Sequence, residues 1–271
     1  MTNERPALSF PVSSQSLISP YLPGKSAIHD QSTPFVTLTF AQSLDGAITL
    51  SQGTQTVLSG PETKAMTHFL RCQHDAIVVG AGTAISDDPS LNCRIEGVTI
   101  RDQPRPVIID PNRKWNVADS ACLRLARQGS GRAPIVIVAH FDEAVDYEET
   151  ETAPQYVEIP RRPVAAHTNS VTEIPWITIL EMLKSRGYRS VMIEGGAAVI
   201  NGLLRPDNIH LVDSVIVTIA PTWLGQGSVT VSPERRVEGE ELRAALRLRD
   251  TKWYQFGEDV VMCGRTIKEQ R

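Results

Sequence analysis

The stretch Ser190-Val-Met-Ile-Glu-Gly-Gly-Ala-Ala-Val-Ile-Asn-Gly202 decides the fold. An apolar run passes into an acidic residue, two glycines and a segment of helical character, so strand, tight turn and helix follow in immediate succession. Glycine lets the backbone come close to a ligand, and the unpaired N–H groups at the start of the next helix favour an anion. The segment therefore predicts a phosphate-binding turn with the Glu194 carboxylate at its mouth. Such a carboxylate should lie at the carboxyl edge of a sheet, where α/β proteins bind ligands. A packing or Schellman-type role for the glycines is the structural alternative.

Outward from this turn, strands and helices alternate. Phe35 to Ala41 reads as a first strand, and Ser59-Gly-Pro61 opens a helix that places Ala65, Met66, Phe69 and Leu70 on one face. Asp75 to Val79 is a short buried strand ending in a turn at Gly80-Ala-Gly82, and Val107-Ile-Ile109 and Ile135 to Val138 repeat its character. Between these two, residues 118–128 suit a helix with Leu123 and Leu125 inward. Residues 142–153 and 161–170 read as solvated connections. A helix over Trp176 to Arg186 turns Ile179, Leu180 and Leu183 to the core and stops at Gly187. The Val191 to Glu194 strand and an Ala197 to Leu204 helix follow, and Pro206 ends that helix. Leu211 to Ile219 is the longest strand candidate, apolar on both faces and so central. Leu246-Arg-Leu248, Trp253-Tyr254 and Val260-Val-Met262 predict an antiparallel finish.

The fold class is thus α/β, one mixed and mostly parallel sheet with helices on both faces. Residues 1–33, rich in Ser and Pro, read as an N-terminal arm, and residues 34–271 as a single domain.

At 271 residues the chain can bury a large core, and its formal charge of −4 offers no global attraction to nucleic acid or an anionic membrane. An anionic small molecule would have to be held by local groups. The four cysteines are far apart, without a Cys-x-x-Cys pair, and the six histidines lack metal-ligand spacing, so no metal is expected. No secretory or transit segment and no apolar run of the roughly 18 residues needed for a membrane span is evident. A cytoplasmic enzyme fits best. The absence of Gly-x-Ser-x-Gly removes support for a hydrolytic nucleophile.

Several residues could carry chemistry. Asp45, in Ser43-Leu-Asp-Gly46, follows the first strand and is either a site residue or part of an ordinary Asp-Gly turn. Gly80-Ala-Gly82 lacks the third glycine of a dinucleotide fingerprint, since Ile85 stands there, which weakens a Rossmann reading. Thr83 can offer a hydroxyl and an N–H to phosphate or ribose, and Asp87 can accept from a ribose; helix capping is the alternative for both. Arg71 and Arg94 suit a phosphorylated substrate, because the guanidinium fork matches phosphate oxygens and keeps its charge when partly buried.

In order along the chain, Thr39-Phe-Ala-Gln-Ser-Leu-Asp-Gly46, Gly80-Ala-Gly-Thr-Ala-Ile-Ser-Asp-Asp-Pro-Ser-Leu-Asn-Cys-Arg94, Pro104-Arg-Pro-Val-Ile-Ile-Asp110 and Glu194-Gly-Gly196 closely resemble the riboflavin-biosynthesis reductases. The resemblance covers about residues 34–264 and is to the stand-alone fungal or archaeal type, similar to the C-terminal reductase domain of the bacterial bifunctional deaminase-reductase. It implies a dihydrofolate-reductase-like fold, a homodimer, and NADPH-dependent reduction of the ribosyl side chain of 2,5-diamino-6-ribosylamino-4(3H)-pyrimidinone 5′-phosphate to ribityl. With no zinc deaminase motif, deamination would fall to another protein.

The resemblance implies cofactor contacts at Thr56, Thr83 and Asp87 and, around the pyrophosphate, at Gly195, Gly196, Ala197, Ala198, Val199, Ile200, Asn201 and Gly202. It implies substrate contacts at Thr54, Arg71, Leu91, Arg94 and Glu194, with the two arginines on the 5′-phosphate. Thr39 stands where many bacterial relatives carry a lysine. The implied chemistry is ring opening of the ribosylamine to an imine and hydride delivery to C1′, with the protein supplying alignment and electrostatics. Arg113 and Lys114 are candidates for a cofactor 2′-phosphate. A reductase of another pterin or pyrimidine, or a nucleotide-binding protein without turnover, are the competing readings.

Overall fold

The computed structural model describes residues 6–24, 32–140, 152–162, 173–238 and 241–267. Its centre is a nine-stranded sheet of β1 (Phe35–Gln42), β3 (Ala76–Gly80), β4 (Arg105–Ile109), β5 (Ile135–Val138), β6 (Gln155–Glu158), β7 (Ser190–Ile193), β8 (Ser214–Ile219), β12 (Arg249–Phe256) and β13 (Asp259–Arg265). The spatial order is β12-β13-β8-β1-β7-β3-β4-β5-β6, and apart from this sheet β2 (Ala47–Thr49) pairs with β9 (Val229–Thr230) and β10 (Arg236–Glu238) with β11 (Glu241–Arg243). Every pairing from β8 to β6 is parallel, and only β13 with β8 and β12 with β13 are antiparallel.

From β3 the strands step outward to β6, and the chain then returns through α5 (Trp176–Ser185) to insert β7 between β1 and β3. Strand order reverses there, opening a crevice at the carboxyl ends. Ile193 pairs with Leu38 of β1 on one side and Val78 of β3 on the other. The residues that follow Ile193 are therefore delivered into that crevice.

Alternation along each strand feeds two apolar layers. Val36, Leu38, Val191, Ile193, Val215 and Val217 join Trp176, Ile179, Leu180 and Leu183 of α5 and Ile200, Leu203 and Leu204 of α6 (Ala197–Leu204). On the opposite face Met192 and Ile216 meet Ala65, Met66, Phe69 and Leu70 of α2 (Pro61–Cys72). Burial on both faces explains why β7 is apolar at nearly every position.

The structure corrects several expectations. β8 is shorter than the 211–219 run, because a 3₁₀ turn at Ile209–Leu211 comes first and the Asp213 carboxylate accepts the Val36 N–H (2.8 Å). The longest strands are β1 and β12, eight residues each. Leu246 to Leu248 lie before β12 rather than in a strand. Gly80 caps α3 (Ala81–Asp87), so helix replaces the expected turn at once. In α4 (Ala121–Arg127), Cys122, Leu123 and Ala126 face inward while Leu125 is only half-buried. β6 was not expected, since Gln155-Tyr-Val-Glu158 is a half-buried edge whose polar ends mask the pattern. The connections at 142–153 and 161–170 fall largely outside the described residues.

The N-terminal segment also differs from an arm over residues 6–24. Phe10, Ile18, Tyr21 and Leu22, around α1 (Val12–Ile18), are buried against α2, β12 and β13. The Phe10 ring lies 5.3 Å from Phe69 and 5.6 Å from Phe256 between centroids, and the Tyr21 hydroxyl donates to the Asp250 carbonyl (2.6 Å). Ile18, Tyr21 and Leu22 stand at helical spacing, but with Phe10 they are only four anchors in a stretch otherwise rich in Ser and Pro, which hides them in the sequence.

Candidate active site

Two glycines shape the crevice at the end of β7. Gly195 has φ +51°, and a Cβ there would stand 2.8 Å from Ile200 Cγ1. A Cβ on Gly196 would stand 2.8 Å from Thr83 Oγ1, and the Thr83 hydroxyl donates to the Gly195 carbonyl (3.2 Å). Only glycine permits this approach of α3 to the turn. Gly196 is the N-cap of α6 and supplies no side-chain cap, so the helix begins with N–H groups available to an anion.

Thr83 and the 195–196 turn thus come together as expected, and the capping alternative for Thr83 fails because its hydroxyl crosses to another element. Asp87 is the last residue of α3 and accepts from the Ser86 hydroxyl (2.6 Å). Ala197, Ala198 and Val199 form the first turn of α6. Ile200 is 1% exposed and points into the core, a Cβ on Gly202 would face Trp176 Nε1 at 3.4 Å, and the Asn201 side chain accepts the Ser232 N–H (2.9 Å). The far half of the 195–202 run therefore serves packing, because one helix cannot turn every residue of two turns toward one ligand.

Beside the turn, Glu194 and Arg71 form a fork-to-fork ion pair. Arg71 Nε donates to Oε1 and Nη2 to Oε2, each at 2.7 Å, and Nη1 donates to the Asn92 carbonyl at 3.1 Å. The side chains are 12% and 18% exposed. Burial works against the Arg71 charge, but the Glu194 carboxylate outweighs it and raises the pKa. Arg71 thereby orients Glu194 through two of its five N–H donors. Leu91, at φ +50°, is buried among Ile77, Val79, Ala84 and Ile108, so only its backbone can face a ligand.

Arg94 packs against α2 at His68, one helical turn before Arg71. Its Nη1 donates to the Pro6 carbonyl (3.0 Å), its N–H to His68 Nδ1 (3.1 Å), and its Nη2 stands 3.2 Å from His68 Nε2. The sequence reading missed both His68 and Asn92. A usable signal existed for His68, which is three positions before Arg71 and so shares a side of α2 with it.

Thr54 and Thr56 sit between β2 (Ala47–Thr49) and α2, bonded locally to Ser51 Oγ (2.7 Å) and Thr49 Oγ1 (3.1 Å). Among the described residues their side chains have no hydrogen bond to the glycine turn or to the Arg71–Glu194 pair. Arg113 and Lys114 are exposed on the loop after β4, where the buried Asp110 carboxylate accepts the Lys114 and Trp115 N–H groups (3.0 and 2.8 Å). Thr39 is buried within β1.

Asp45 has a structural task. Its carboxylate accepts from the Ser43 hydroxyl and from the N–H groups of Gly225 (2.8 Å) and Leu224 (3.1 Å). The Ser43 hydroxyl first, then these amides, lower its pKa from 3.8 to about 2, so it is ionised at neutral pH and unsuited to donate a proton. Because the folded value is depressed, its contribution to stability is complete above 3.8 and is lost as pH falls toward about 2. Asp45→Asn is expected to flatten the acid limb of a urea-midpoint profile across that window. An unchanged limb would show that the clamp contributes nothing.

A crevice at a reversal of strand order, with an uncapped glycine turn aimed at an anion, is where α/β enzymes hold nucleotides. Fold and turn define that class. The chain belongs to the RibD C-terminal domain family, whose model matches residues 34–262.

It is 38% identical over 265 residues to the 2,5-diamino-6-ribosylamino-4(3H)-pyrimidinone 5′-phosphate reductase of Kluyveromyces marxianus, covering 92% of this chain and 94% of that protein. It is 39% identical over 247 residues to the Saccharomyces cerevisiae protein of the same name, covering 90% and 92%. The solved riboflavin biosynthesis reductase Rib7 of S. cerevisiae superposes with a TM-score of 0.72 at 37% identity, over 93% of this chain and 98% of that one. Acinetobacter baumannii RibD, at 24% identity and TM-score 0.65 over 88% of this chain and 59% of that one, shares the fold. The expected α/β architecture is therefore present, a mostly parallel sheet closed by antiparallel C-terminal strands.

Proposed function

We propose that this chain catalyses NADPH-dependent reduction of the ribosyl side chain of 2,5-diamino-6-ribosylamino-4(3H)-pyrimidinone 5′-phosphate to the ribityl side chain in riboflavin biosynthesis. The observation that carries the reading is the Arg71–Glu194 pair set directly beside the uncapped start of α6, in a chain aligned nearly end to end with reductases of that name.

The residues fit a dinucleotide. The lack of a Cβ at Gly195 and Gly196 lets Ile200 and Thr83 close against the turn, and the amides of Ala197, Ala198 and Val199 at the uncapped start of α6 would hold the diphosphate oxygens. Thr83 would fix the turn and Asp87 would accept from a ribose. When bound, the reduced nicotinamide supplies the hydride. Arg71 occupies one lone pair on each Glu194 oxygen, and the remaining lone pairs can accept N–H or O–H groups of the aminopyrimidine or sugar. Arg94 would receive the phosphate. Arg113 and Lys114, on the same carboxyl side of the sheet, supply charge for a 2′-phosphate and so a preference for NADPH.

The same reading takes residues 34–271 as the reductase domain, the cytoplasm as its location, and a homodimer as its working form. Among the described residues no helix is long and apolar enough to cross a membrane. β8 is enclosed by β1 and β13 and cannot provide the dimer contact, whereas β12 is a sheet edge whose Trp253 is 60% exposed. An uncovered edge of this kind favours pairing with a second chain.

The test is turnover followed at the nicotinamide absorbance band, with NADPH and NADH, on the deaminated and undeaminated phosphates and on dihydrofolate. The expected result is oxidation of NADPH with the undeaminated phosphate and none with dihydrofolate. Cofactor binding without turnover, or turnover only with a folate, would overturn the proposal.

A further inference from the structure

All four cysteines of the chain are free thiols, and two of them meet beside the Arg71–Glu194 pair. Cys72 ends α2 and is half-buried, whereas Cys93 lies on the loop after α3 and is 4% exposed. Their thiols donate to successive carbonyls of one turn of α2, Cys72 to Phe69 (3.1 Å) and Cys93 to His68 (3.0 Å). The two thiols stand within hydrogen-bonding reach of each other. Cys122 and Cys263 are fully buried on α4 and β13.

Reactivity differs within this set. Attack on an oxidant requires a thiolate that solvent can reach. The hydrogen bond from the Cys93 thiol holds the Cys72 pKa below the usual thiol range, against the effect of burial. The Cys93 pKa is raised, first by its hydrogen bond to Cys72 and then by burial. Burial also raises the pKa of Cys122, and that of Cys263 to about 12. Cys72 is therefore the thiolate and Cys93 the protonated partner beside it, the arrangement of an attacking and a resolving thiol.

We infer that Cys72 and Cys93 form a peroxide-sensitive dithiol, a modification site that closes to a disulfide next to Arg71. The Cys72 thiolate attacks one oxygen of hydrogen peroxide, so that an S–O bond forms, the O–O bond breaks and hydroxide leaves. The Cys93 sulfur then attacks Cys72 Sγ, the S–S bond forms, and the sulfenic oxygen leaves as water with the Cys93 proton. The hydroxide takes up the proton that Cys72 lost on ionising. The thiols thus lose two electrons in total, and the peroxide is reduced to two waters.

The bond reaches the site through Arg71, a consequence that rests on the function proposed above. A disulfide holds its sulfurs about 2.05 Å apart, so both thiols must leave their carbonyls and draw together. Gln103 pins the Cys93 backbone, its Oε1 accepting the Cys93 N–H (2.7 Å) and its Nε2 donating to the Cys93 carbonyl (2.9 Å). Closure therefore draws the end of α2 toward the loop. Arg71, which precedes Cys72, is shifted against the Asn92 carbonyl (3.1 Å) and Glu194.

Incubation of the full chain with hydrogen peroxide, followed by peptide mapping by mass spectrometry, tests the chemistry independently of turnover. The expected product links the Cys72 and Cys93 peptides with the loss of two hydrogens, leaves Cys122 and Cys263 as thiols, and reverts with dithiothreitol. Cys72→Ser should keep Cys93 a thiol under the same treatment. Oxidation is expected to raise KM for the phosphorylated substrate about 10-fold, as for loss of a hydrogen bond to a charged group, and the Cys72→Ser protein should show no such rise. A Cys72 sulfinic acid with Cys93 still a thiol, a link between other cysteines, or an unchanged mass would overturn the inference. A linked chain that keeps the parent's KM would refute the coupling to the site. Absence of turnover in the reduced parent refutes the function instead, while the peptide map still decides the disulfide. The Arg71 Nε–H resonance, read by NMR before and after oxidation, then decides the coupling, since a shift is expected and an unmoved resonance refutes it.

Discussion

Glu194→Ala is expected to lower the unfolding free energy by about 3–5 kcal/mol, a large fraction of what holds a domain folded. The reason is the charge left behind. Arg71 is nearly buried and depends on Glu194 for two of its three hydrogen bonds, and removing the carboxylate strands a guanidinium in a low-dielectric site. Arg71→Leu combined with Glu194→Leu should be less damaging than either single change, because no uncompensated charge then remains. Urea denaturation of the four proteins of this cycle measures the coupling. Additive effects would show that solvent already screens the pair.

Gly196→Ala is expected to weaken cofactor binding about 10- to 100-fold, matching the 1–3 kcal/mol of strain or displacement that such a site stores. The added methyl would lie 2.8 Å from Thr83 Oγ1, so α3 or the turn must shift and the Thr83 bond to the Gly195 carbonyl breaks. Gly195→Ala should be at least as severe, since it combines a contact with Ile200 at 2.8 Å and a backbone at φ +51°. Cofactor titration by fluorescence, with far-ultraviolet circular dichroism as the folding control, reads both. A Gly196→Ala protein with the parent's affinity would place the diphosphate elsewhere.

The strand–turn–helix at 190–204 was legible because its signal is local. Apolar residues buried on both faces read as one run, and two glycines before a helix mark close approach. The helices over 61–72 and 176–185 were equally clear from the spacing of their apolar faces. β6 was not, since an edge strand needs few apolar residues. The segment 6–24 escaped because its buried side chains gain their meaning only from α2 and β12, far away in sequence.

For the site, residue type and residue task parted company. Arg71 was chosen for its affinity for phosphate, yet its fork is closed on a carboxylate contributed by a strand 123 positions along the chain. Asp45 reads in sequence as either a site carboxylate or an Asp-Gly turn residue, and it clamps the 224–225 amides, which are still farther away along the chain. Ile200 and Gly202 fell within a motif but on the inward side of a helix.

By itself the amino-acid sequence determined the alternation of elements, the glycine turn and its carboxylate, because each rests on interactions within a few residues of backbone. Only the tertiary structure decided which charges are already neutralised and which side chains they meet. Arg71 and Glu194, or His68 and Arg94, meet through the return of the chain between β1 and β3 and the fold of the loop after α3. Electrostatic energy depends on distance and burial, and neither is written in the order of residues.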